Sequence, residues 1–177
     1  MSGRKVLEVM PECYVDTNLI EYLLDAGVNH QHSCNKVIGQ LNSTFSNKFA
    51  IGVIDKDKVE QGYVRECSVI AQTNHLTLMK HRDRCQFLIL IAPAIEGFIL
   101  DCAQTDGVNI ESFGLSPSMK EFTTVSKRVT SNKDQRFKAL FAALRQNPEI
   151  TMLNNSLRYL CEKRYDVDVE ELKGLFV

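Results

Sequence analysis

The sequence predicts an α/β protein, with a mostly parallel sheet flanked by helices in three layers and a helical C-terminal extension. Within residues 1–110, short apolar segments alternate with amphipathic helical segments, which is typical of parallel strands joined by helices. Residues 111–177 show helical periodicity and no strand signal. The chain has 177 residues, of which 44% are hydrophobic and 24% charged, so it can bury one sizeable core.

The predicted strands are short segments rich in apolar or branched residues. In chain order they are 5–10 (KVLEVM), 48–54 (KFAIGVI), 75–81 (HLTLMKH) and 85–92 (CQFLILIA). The third alternates apolar and polar side chains, which predicts an outer strand, whereas the fourth is continuously apolar, which predicts a central one. Residues 59–71 are interpreted as a loop with part of a helix.

Apolar residues at helical spacing predict helices between and after these strands. The first helix has Asp16 as its candidate cap and ends at Gly27, the second starts at Ser33, and a third opens at Pro93. In the extension we expect three amphipathic helices and a short fourth one. The first three helices follow Pro117, Asn132 and Pro148, and the short fourth helix begins at Asp168.

Charge and cysteine content exclude several classes of function. The 21 Lys and Arg residues nearly balance the 22 Asp and Glu residues, so any contact with a polyanion must be a local patch. The six cysteines contain no Cys-x-x-Cys pair, which argues against a structural zinc site and favours reduced thiols in a cytoplasmic protein. No apolar stretch approaches the ~20 residues that span a bilayer, so no membrane partner is expected.

Acidic residues follow three of the predicted strands. Glu12 comes after the first, Asp55 and Asp57 after the second, and Glu96 shortly after the fourth. Carboxyl ends of parallel strands share one edge of the sheet, where carboxylates repel one another unless a cation neutralises them. Carboxylate oxygens favour Mg²⁺, which supports phosphoryl transfer. The alternative is a solvated acidic loop.

Four segments resemble, in the same order, the motifs of Toprim (topoisomerase-primase) domains, particularly the stand-alone and nuclease-associated forms of bacterial defence proteins. In that family a strand ends in Glu and Gly, with an Asp four residues after the Glu, and a later strand ends in Asp-x-Asp. Here Cys13 stands where the family has glycine, and Pro11 precedes the glutamate. The resemblance covers residues 4–104 through VLEVMPECYVD (6–16), HQHSCNKV (30–37), AIGVIDKDK (50–58) and LIAPAIEGFIL (90–100).

The resemblance implies a Rossmann-like Toprim domain over residues 1–110. Residues 111–177 are expected to pack on it, because about 60 residues make only a marginal core of their own. The resemblance also implies that Glu12, Asp55 and Asp57 are the catalytic residues. The implied ligands of Mg²⁺, or of Mn²⁺, are Glu12, Asp55, Asp57 and Glu96. The residues expected to support the site are Asp16, Asn35 and Lys36.

Basic residues near these acids and in the extension predict an interface for nucleic acid. Residues 117–145 carry more cations than acids, and cationic helices can follow a phosphate backbone. An ordinary solvated helix face is the alternative interpretation. The candidate phosphate-binding residues are Lys56, Lys58, Lys127, Arg128, Lys133 and Arg136.

Together these observations predict Mg²⁺-dependent phosphodiester chemistry on DNA or RNA by a small nuclease of a bacterial defence system. A partner ATPase or another defence subunit is a further expectation. Two alternatives stay open: a catalytically inactive Toprim-like module that binds nucleic acid or a partner protein, and a nucleotide-processing phosphotransferase. His30 and His32 share one face of a short strand, and we interpret them as a surface or packed pair.

Overall fold

The computed structural model describes residues 3–58 and 62–176, without the side chain of Lys58. Seven strands are assigned in this part of the chain: β1 Lys5–Val6, β2 Val9–Pro11, β3 Gly27–Val28, β4 Ala50–Asp55, β5 Cys67–Gln72, β6 Leu76–His81 and β7 Gln86–Ile91. The α-helices are α1 Tyr14–Leu24, α2 Cys34–Asn42, α3 Gly62–Arg65, α4 Ile95–Thr105, α5 Met119–Ser126, α6 Gln135–Ala143, α7 Pro148–Lys163 and α8 Val169–Gly174. Short 3-10 turns follow β4 and join several of the later helices.

The main sheet has five strands in the order β2-β4-β7-β6-β5 and is mixed. Strands β2, β4 and β7 are parallel, whereas β6 pairs antiparallel with both β7 and β5. The α/β class is confirmed, but the expected mostly parallel sheet is not. The cause is the short connection on each side of β6, because a parallel pairing needs a crossover of a dozen residues or more.

The segment predicted as one strand at 5–10 forms two strands in two different sheets. A turn at Leu7 and Glu8 separates them; β1 pairs with β3, and β2 pairs with β4. Beyond β3, the N–H of Asn29 donates to the Val9 carbonyl and the N–H of Gln31 to the Pro11 carbonyl. Residues 29–31 therefore run alongside β2 toward its carboxyl end.

The prediction of a loop with part of a helix over residues 59–71 was wrong from residue 67 onward. Residues 59–61 lie outside the described part of the chain, and residues 62–65 form α3. Residues 67–72, however, form the edge strand β5, with a bulge between Val69 and Ala71. Several side chains of β5 are exposed, and a strand at a sheet edge needs little of the apolar alternation by which strands are recognised.

Helix positions agree with the predicted periodicity, with two corrections at their starts. Ser33 caps α2 as predicted, by accepting a hydrogen bond from the N–H of Lys36. The cap of α1 is Cys13 and not Asp16, which occupies the third helical position and completes a capping box. Pro93 precedes the cap of α4 at Ala94 and is not inside the helix.

One hydrophobic core connects the sheet with the C-terminal helices. It contains Leu19 of α1, Ile89 of β7, Phe141 of α6 and Leu157 of α7, all fully or almost fully buried. Helix α1 lies between the two parts, because it contacts both β2 and helices α6 and α7. Within the described residues, the helices are too short or too polar to cross a bilayer.

Candidate functional site

Four carboxylate side chains are buried near one edge of the main sheet. Glu12 directly follows β2, Asp55 ends β4, Asp16 lies in the first turn of α1, and Glu96 lies in the first turn of α4. None of the four exposes more than 6% of its surface. Because β2 and β4 are parallel neighbours, Glu12 and Asp55 share the carboxyl-terminal edge of the sheet, as the sequence predicts. We call Glu12, Asp16, Asp55 and Glu96 together the acidic edge.

Glu12 and Asp55 are held together by main-chain hydrogen bonds. The N–H of Asp55 donates to Oε2 of Glu12 at 3.1 Å, and the N–H of Glu12 donates to the Val53 carbonyl at 3.1 Å. The side chain of Glu12 therefore lies across the end of β4. Oδ1 of Asp55 accepts from the N–H of Ile95 at 3.0 Å, and this helix N-terminus favours a negative charge.

Asp16 completes a group of three carboxylates that interact electrostatically. Its Oδ2 accepts from the N–H of Cys13 at 3.1 Å, while its buried Oδ1 has no hydrogen-bond partner in the described structure. Burial raises the pKa of Asp16 well above its usual value, and the charges of Asp55 and Glu12 raise it further. This crowding is relieved when Asp16 takes up a proton or when a cation lies beside it.

Glu96 connects the acidic edge to the C-terminal extension. Its Oε1 accepts from the Ser126 hydroxyl at 2.5 Å, and Ser126 is the last residue of α5. The carbonyl of Ser126 in turn accepts from the hydroxyl of Ser131. Glu96 thus has a structural partner that the sequence pattern does not reveal.

Asp57 and Lys56 lie apart from the buried group. Both belong to the 3-10 turn Lys56–Lys58 that follows β4, and both are exposed. The side chain of Lys58, a predicted phosphate contact, is outside the described residues. Of the three predicted catalytic acids, the structure brings Glu12 and Asp55 together and leaves Asp57 at the surface.

The donor set can be compared with the needs of a metal ion. In residues 3–58 and 62–176, no three or more His, Cys, Asp or Glu side chains are arranged to hold one. Mg²⁺, however, is commonly bound through one or two carboxylates, with water and substrate phosphate completing its shell. Glu12 and Asp55, which interact electrostatically with Asp16, offer hard oxygen donors of the required kind.

Cations from the extension lie next to this edge. Lys127 and Arg128 are exposed and directly follow Ser126, which is bonded to Glu96. The segment that contains Lys127 and Arg128 contacts α1 through a hydrogen bond at 2.7 Å, which Nδ2 of Asn18 donates to the Ser131 carbonyl.

Two further candidates for phosphate contact differ in their partners. Lys133 is exposed, and it ends the 3-10 turn that packs on α1. Arg136 instead forms an ion pair with Asp134, with Nη2 at 2.7 Å from Oδ2, so part of its charge is already neutralised.

Two histidines lie beside the first turn of α1. Nε2 of His30 lies 2.9 Å from Nδ1 of His32, and the ring of Tyr14 stacks on His30 with a centroid distance of 4.7 Å. A groove of about 520 Å³ is lined by His32 together with Asn35 and Lys36 of α2. The packed pair expected from the sequence is present, and its position beside α1 depends on the pairing of residues 29–31 with β2.

Two other features lie away from the acidic edge. A cavity of about 540 Å³ at the opposite end of α1 is lined by Arg4, Arg145 and Arg158, among other residues.

The thiol of Cys67 has its pKa raised to about 11 by burial and by the charge of Glu66. A thiol that stays protonated at neutral pH is a poor nucleophile, so Cys67 is not a candidate catalytic residue.

Comparison with protein-family models, with curated proteins and with solved structures finds no match for this chain. Its function is therefore inferred from the residues of the acidic edge and of the surfaces beside it.

Proposed function

We propose that the protein is a small nuclease that carries out Mg²⁺- or Mn²⁺-dependent phosphodiester chemistry on nucleic acid at its buried acidic edge. The observation that carries the proposal is the crowding of Glu12, Asp16 and Asp55, with burial and mutual repulsion raising the pKa of Asp16. The motif order that resembles Toprim domains of defence nucleases supports the same reaction class.

Such crowding is unfavourable for folding, since buried like charges destabilise one another. Arrangements of this kind concentrate at functional sites, where a ligand or a reaction requires them. Glu12 and Asp55 are also held by main-chain donors, so their positions do not depend on flexible side-chain partners. A fixed pair of carboxylates is what a divalent cation with bound phosphate needs.

Glu12 and Asp55 would hold the metal, with exposed Asp57 and buried Glu96 as the remaining candidate ligands. A bound Mg²⁺ or Mn²⁺ would supply charge stabilisation at the phosphoryl group. The chain's own contribution is to fix the carboxylates, to orient Asp16 through the Cys13 N–H, and to place a helix N-terminus beside Asp55.

Binding of the substrate is assigned to Lys127, Arg128 and Lys133. These cations are exposed on the segment that contacts both Glu96 and α1. Contacts of this kind are made to phosphates and are independent of base sequence. The extension therefore delivers the nucleic-acid backbone to the acidic edge.

A catalytically inactive module that binds nucleic acid or a partner protein is the second candidate function. It is favoured by the lack of a three-ligand metal group in the described residues and by Cys13 at the position of the family's glycine. This function would use the same cations but would not require the carboxylates.

The two functions are separated by an assay on end-labelled single- and double-stranded DNA and RNA with Mg²⁺ or Mn²⁺. The proposal predicts cleavage by the wild type, and Glu12→Gln and Asp55→Asn should each lower the rate by about 10²-fold or more without weakening binding. Glu121→Gln, an exposed change on α5, is the control and should cleave normally.

The double variant Lys127→Glu/Arg128→Glu measures binding in the same assay. It should weaken binding to all sequences alike and flatten its dependence on salt, because fewer counterions are released. Wild-type binding without cleavage under any of these conditions would favour the inactive module. Absence of both binding and cleavage would remove both nucleic-acid functions.

A further inference from the structure

The cavity of about 540 Å³ at the C-terminal end of α1 is lined by cations from four separate parts of the chain. Arg4 precedes β1, Lys138 belongs to α6, Arg145 follows α6, and Arg158 belongs to α7. A volume of this size is typical of sites for small molecules and exceeds what a single phosphate group needs. The acidic edge lies at the other end of α1, whose 11 residues span about 16 Å.

The main chain around this cavity is held in place by the fold. Helix α1 packs against both α6 and α7, and the N–H of Gly27 donates to the Arg4 carbonyl at 2.9 Å. Arg158 donates from Nη2 to the Leu23 carbonyl and from Nε to Oδ1 of Asn154, the latter at 3.0 Å. This arginine offsets part of the negative end of the α1 dipole. The shape of the cavity therefore does not depend on its other cations.

The other three cations have no partner of opposite charge in the described structure. Within residues 3–58 and 62–176, the side chains of Arg4, Lys138 and Arg145 form no ion pair and no hydrogen bond. Like charges gathered around one cavity repel one another. A cleft lined mainly by one sign of charge also focuses its field on a ligand of the opposite sign. The cavity therefore favours an anion that carries several charges.

Two carboxylates also line the cavity, so its charge is not uniform. Oε1 of Glu21 accepts from the N–H of Val28 at 3.2 Å, and Asp25 is exposed at the C-cap of α1. Together they balance two of the four cations, which leaves an excess of positive charge. Carboxylates accept hydrogen bonds from hydroxyl and amino groups, as an acidic residue does from the ribose in dinucleotide-binding folds.

An apolar wall completes the cavity. Tyr22, Leu23 and Ile150 contribute to its lining. Tyr22 is half-buried, and its ring centroid lies 6.1 Å from that of Phe141. Aromatic side chains stack on nucleic-acid bases of any kind, because every base has a flat apolar face. The cavity thus combines cations for phosphate, carboxylates for ribose hydroxyls and an apolar wall for a base.

From this arrangement we propose that the cavity binds a nucleoside polyphosphate. Arg4, Lys138 and Arg145 bind the phosphates, and the base packs against Tyr22 and Ile150. Arginine suits the phosphates because its planar guanidinium binds them through two parallel hydrogen bonds. The inference goes beyond the proposed nuclease function and does not depend on it, because the cavity and the acidic edge share no residue.

Calorimetric titration of the whole chain with ATP in the presence of EDTA tests the proposal. Without a divalent cation, the carboxylates of the acidic edge repel phosphate and do not contribute to binding. The wild type should bind ATP with an affinity that falls as salt rises. Lys138→Gln and Arg145→Gln should each weaken binding about tenfold, as expected for loss of a hydrogen bond from a charged group.

Both variants should fold, because neither side chain has a partner among the described residues, and an unchanged unfolding temperature confirms this. Lys120→Gln is the matched control. It removes an exposed cation of α5 that lies outside the cavity, so it should bind ATP as the wild type does.

Further probes separate a nucleotide from other anions. Tripolyphosphate and adenosine should each bind at least about tenfold more weakly than ATP, because the first lacks the base and the second lacks the phosphates. Citrate, which carries several charges but neither of these groups, should also bind more weakly. This order of affinities would assign the cavity to a nucleotide.

Four results would overturn the proposal. They are no ATP binding by the folded wild type, unchanged affinity in both variants, affinity for tripolyphosphate or citrate equal to that for ATP, and preference for a single-stranded oligonucleotide. In the last case, loss of oligonucleotide affinity in Lys138→Gln and Arg145→Gln would show that these cations contact nucleic acid instead. None of these results bears on cleavage at the acidic edge, which is measured with a divalent cation.

Discussion

Asp16 shows how one residue can serve both the fold and the site. Its Oδ2 accepts from the N–H of Cys13 and completes the capping box of α1, whereas its Oδ1 is buried without a partner in the described structure. An asparagine at this position would keep a side-chain oxygen for the N–H of Cys13. The buried Oδ1 without a partner therefore points to a ligand or a proton at the site.

Replacing Asp16 with Asn is predicted to stabilise the metal-free protein at neutral pH by about 0.5–2 kcal/mol. The folded state raises the pKa of Asp16 above its unfolded value, so the folded protein holds the proton more tightly. Wild-type stability consequently falls as pH rises above the unfolded pKa of about 4. Urea unfolding should show a gain for Asp16→Asn at pH 7 that shrinks toward pH 4.

Asp57→Asn provides the control, because Asp57 is exposed. It should change the free energy of unfolding by less than about 0.5 kcal/mol at either pH. A loss of several kcal/mol in Asp16→Asn would show instead that the charge itself stabilises the cap, and the inferred repulsion would be wrong.

The sequence was sufficient to predict where Glu12 and Asp55 lie, because each follows an apolar segment that had to be a buried strand. It was not sufficient for Asp57, since a residue two positions beyond a strand can turn toward or away from the sheet. The hydrogen bonds that join the side chains of Thr17, His30 and His32 could not be predicted either. They depend on residues 29–31 running beside β2.

At the scale of secondary-structure elements, the packing of α2 on β4 depends on Gly52. A Cβ built at Gly52 would lie 2.8 Å from Cδ2 of Leu88 and 2.9 Å from Cγ1 of Val37. Both distances are shorter than real Cβ contacts, and both neighbours are buried. The absence of a side chain at this position lets the helix lie close to the sheet.

Gly52→Ala should therefore destabilise the protein by about 1–3 kcal/mol, the usual effect of overpacking a core. Gly39→Ala is the control on α2, the helix that packs against Gly52, because an added Cβ at Gly39 would have no atom within 4 Å. Helix propensity predicts a gain of up to about 1 kcal/mol there. Thermal or urea unfolding of both variants tests the pair, and a neutral Gly52→Ala would contradict the close packing.

Element prediction succeeded where burial imposes a clear pattern and failed where it does not. The central strand β7 is buried along its whole length and is evident from its apolar run. The edge strand β5 has a bulge and several exposed side chains, so its composition resembles a loop. The division between β1 and β2 reflects two different pairing partners, which a single short segment does not encode.

Across the protein as a whole, the C-terminal extension contacts the acidic edge. Ser126 bonds to Glu96, and the Ser131 carbonyl accepts from Asn18 on α1. These contacts join segments far apart in the chain and place Lys127 and Arg128 near the acidic edge. Local sequence patterns predicted the helices of the extension but carried no information about which side of the sheet they cover.

The crowded carboxylates are proposed to form a divalent-cation site, and calorimetric titration of the folded protein with Mn²⁺ measures whether they do. The wild type should bind Mn²⁺, Asp55→Asn should weaken binding at least about tenfold through loss of a charged ligand, and Glu121→Gln should bind as the wild type does. A folded wild type that bound no Mn²⁺ even with an oligonucleotide present, or an Asp55→Asn variant with unchanged affinity, would show that these carboxylates do not form a cation site.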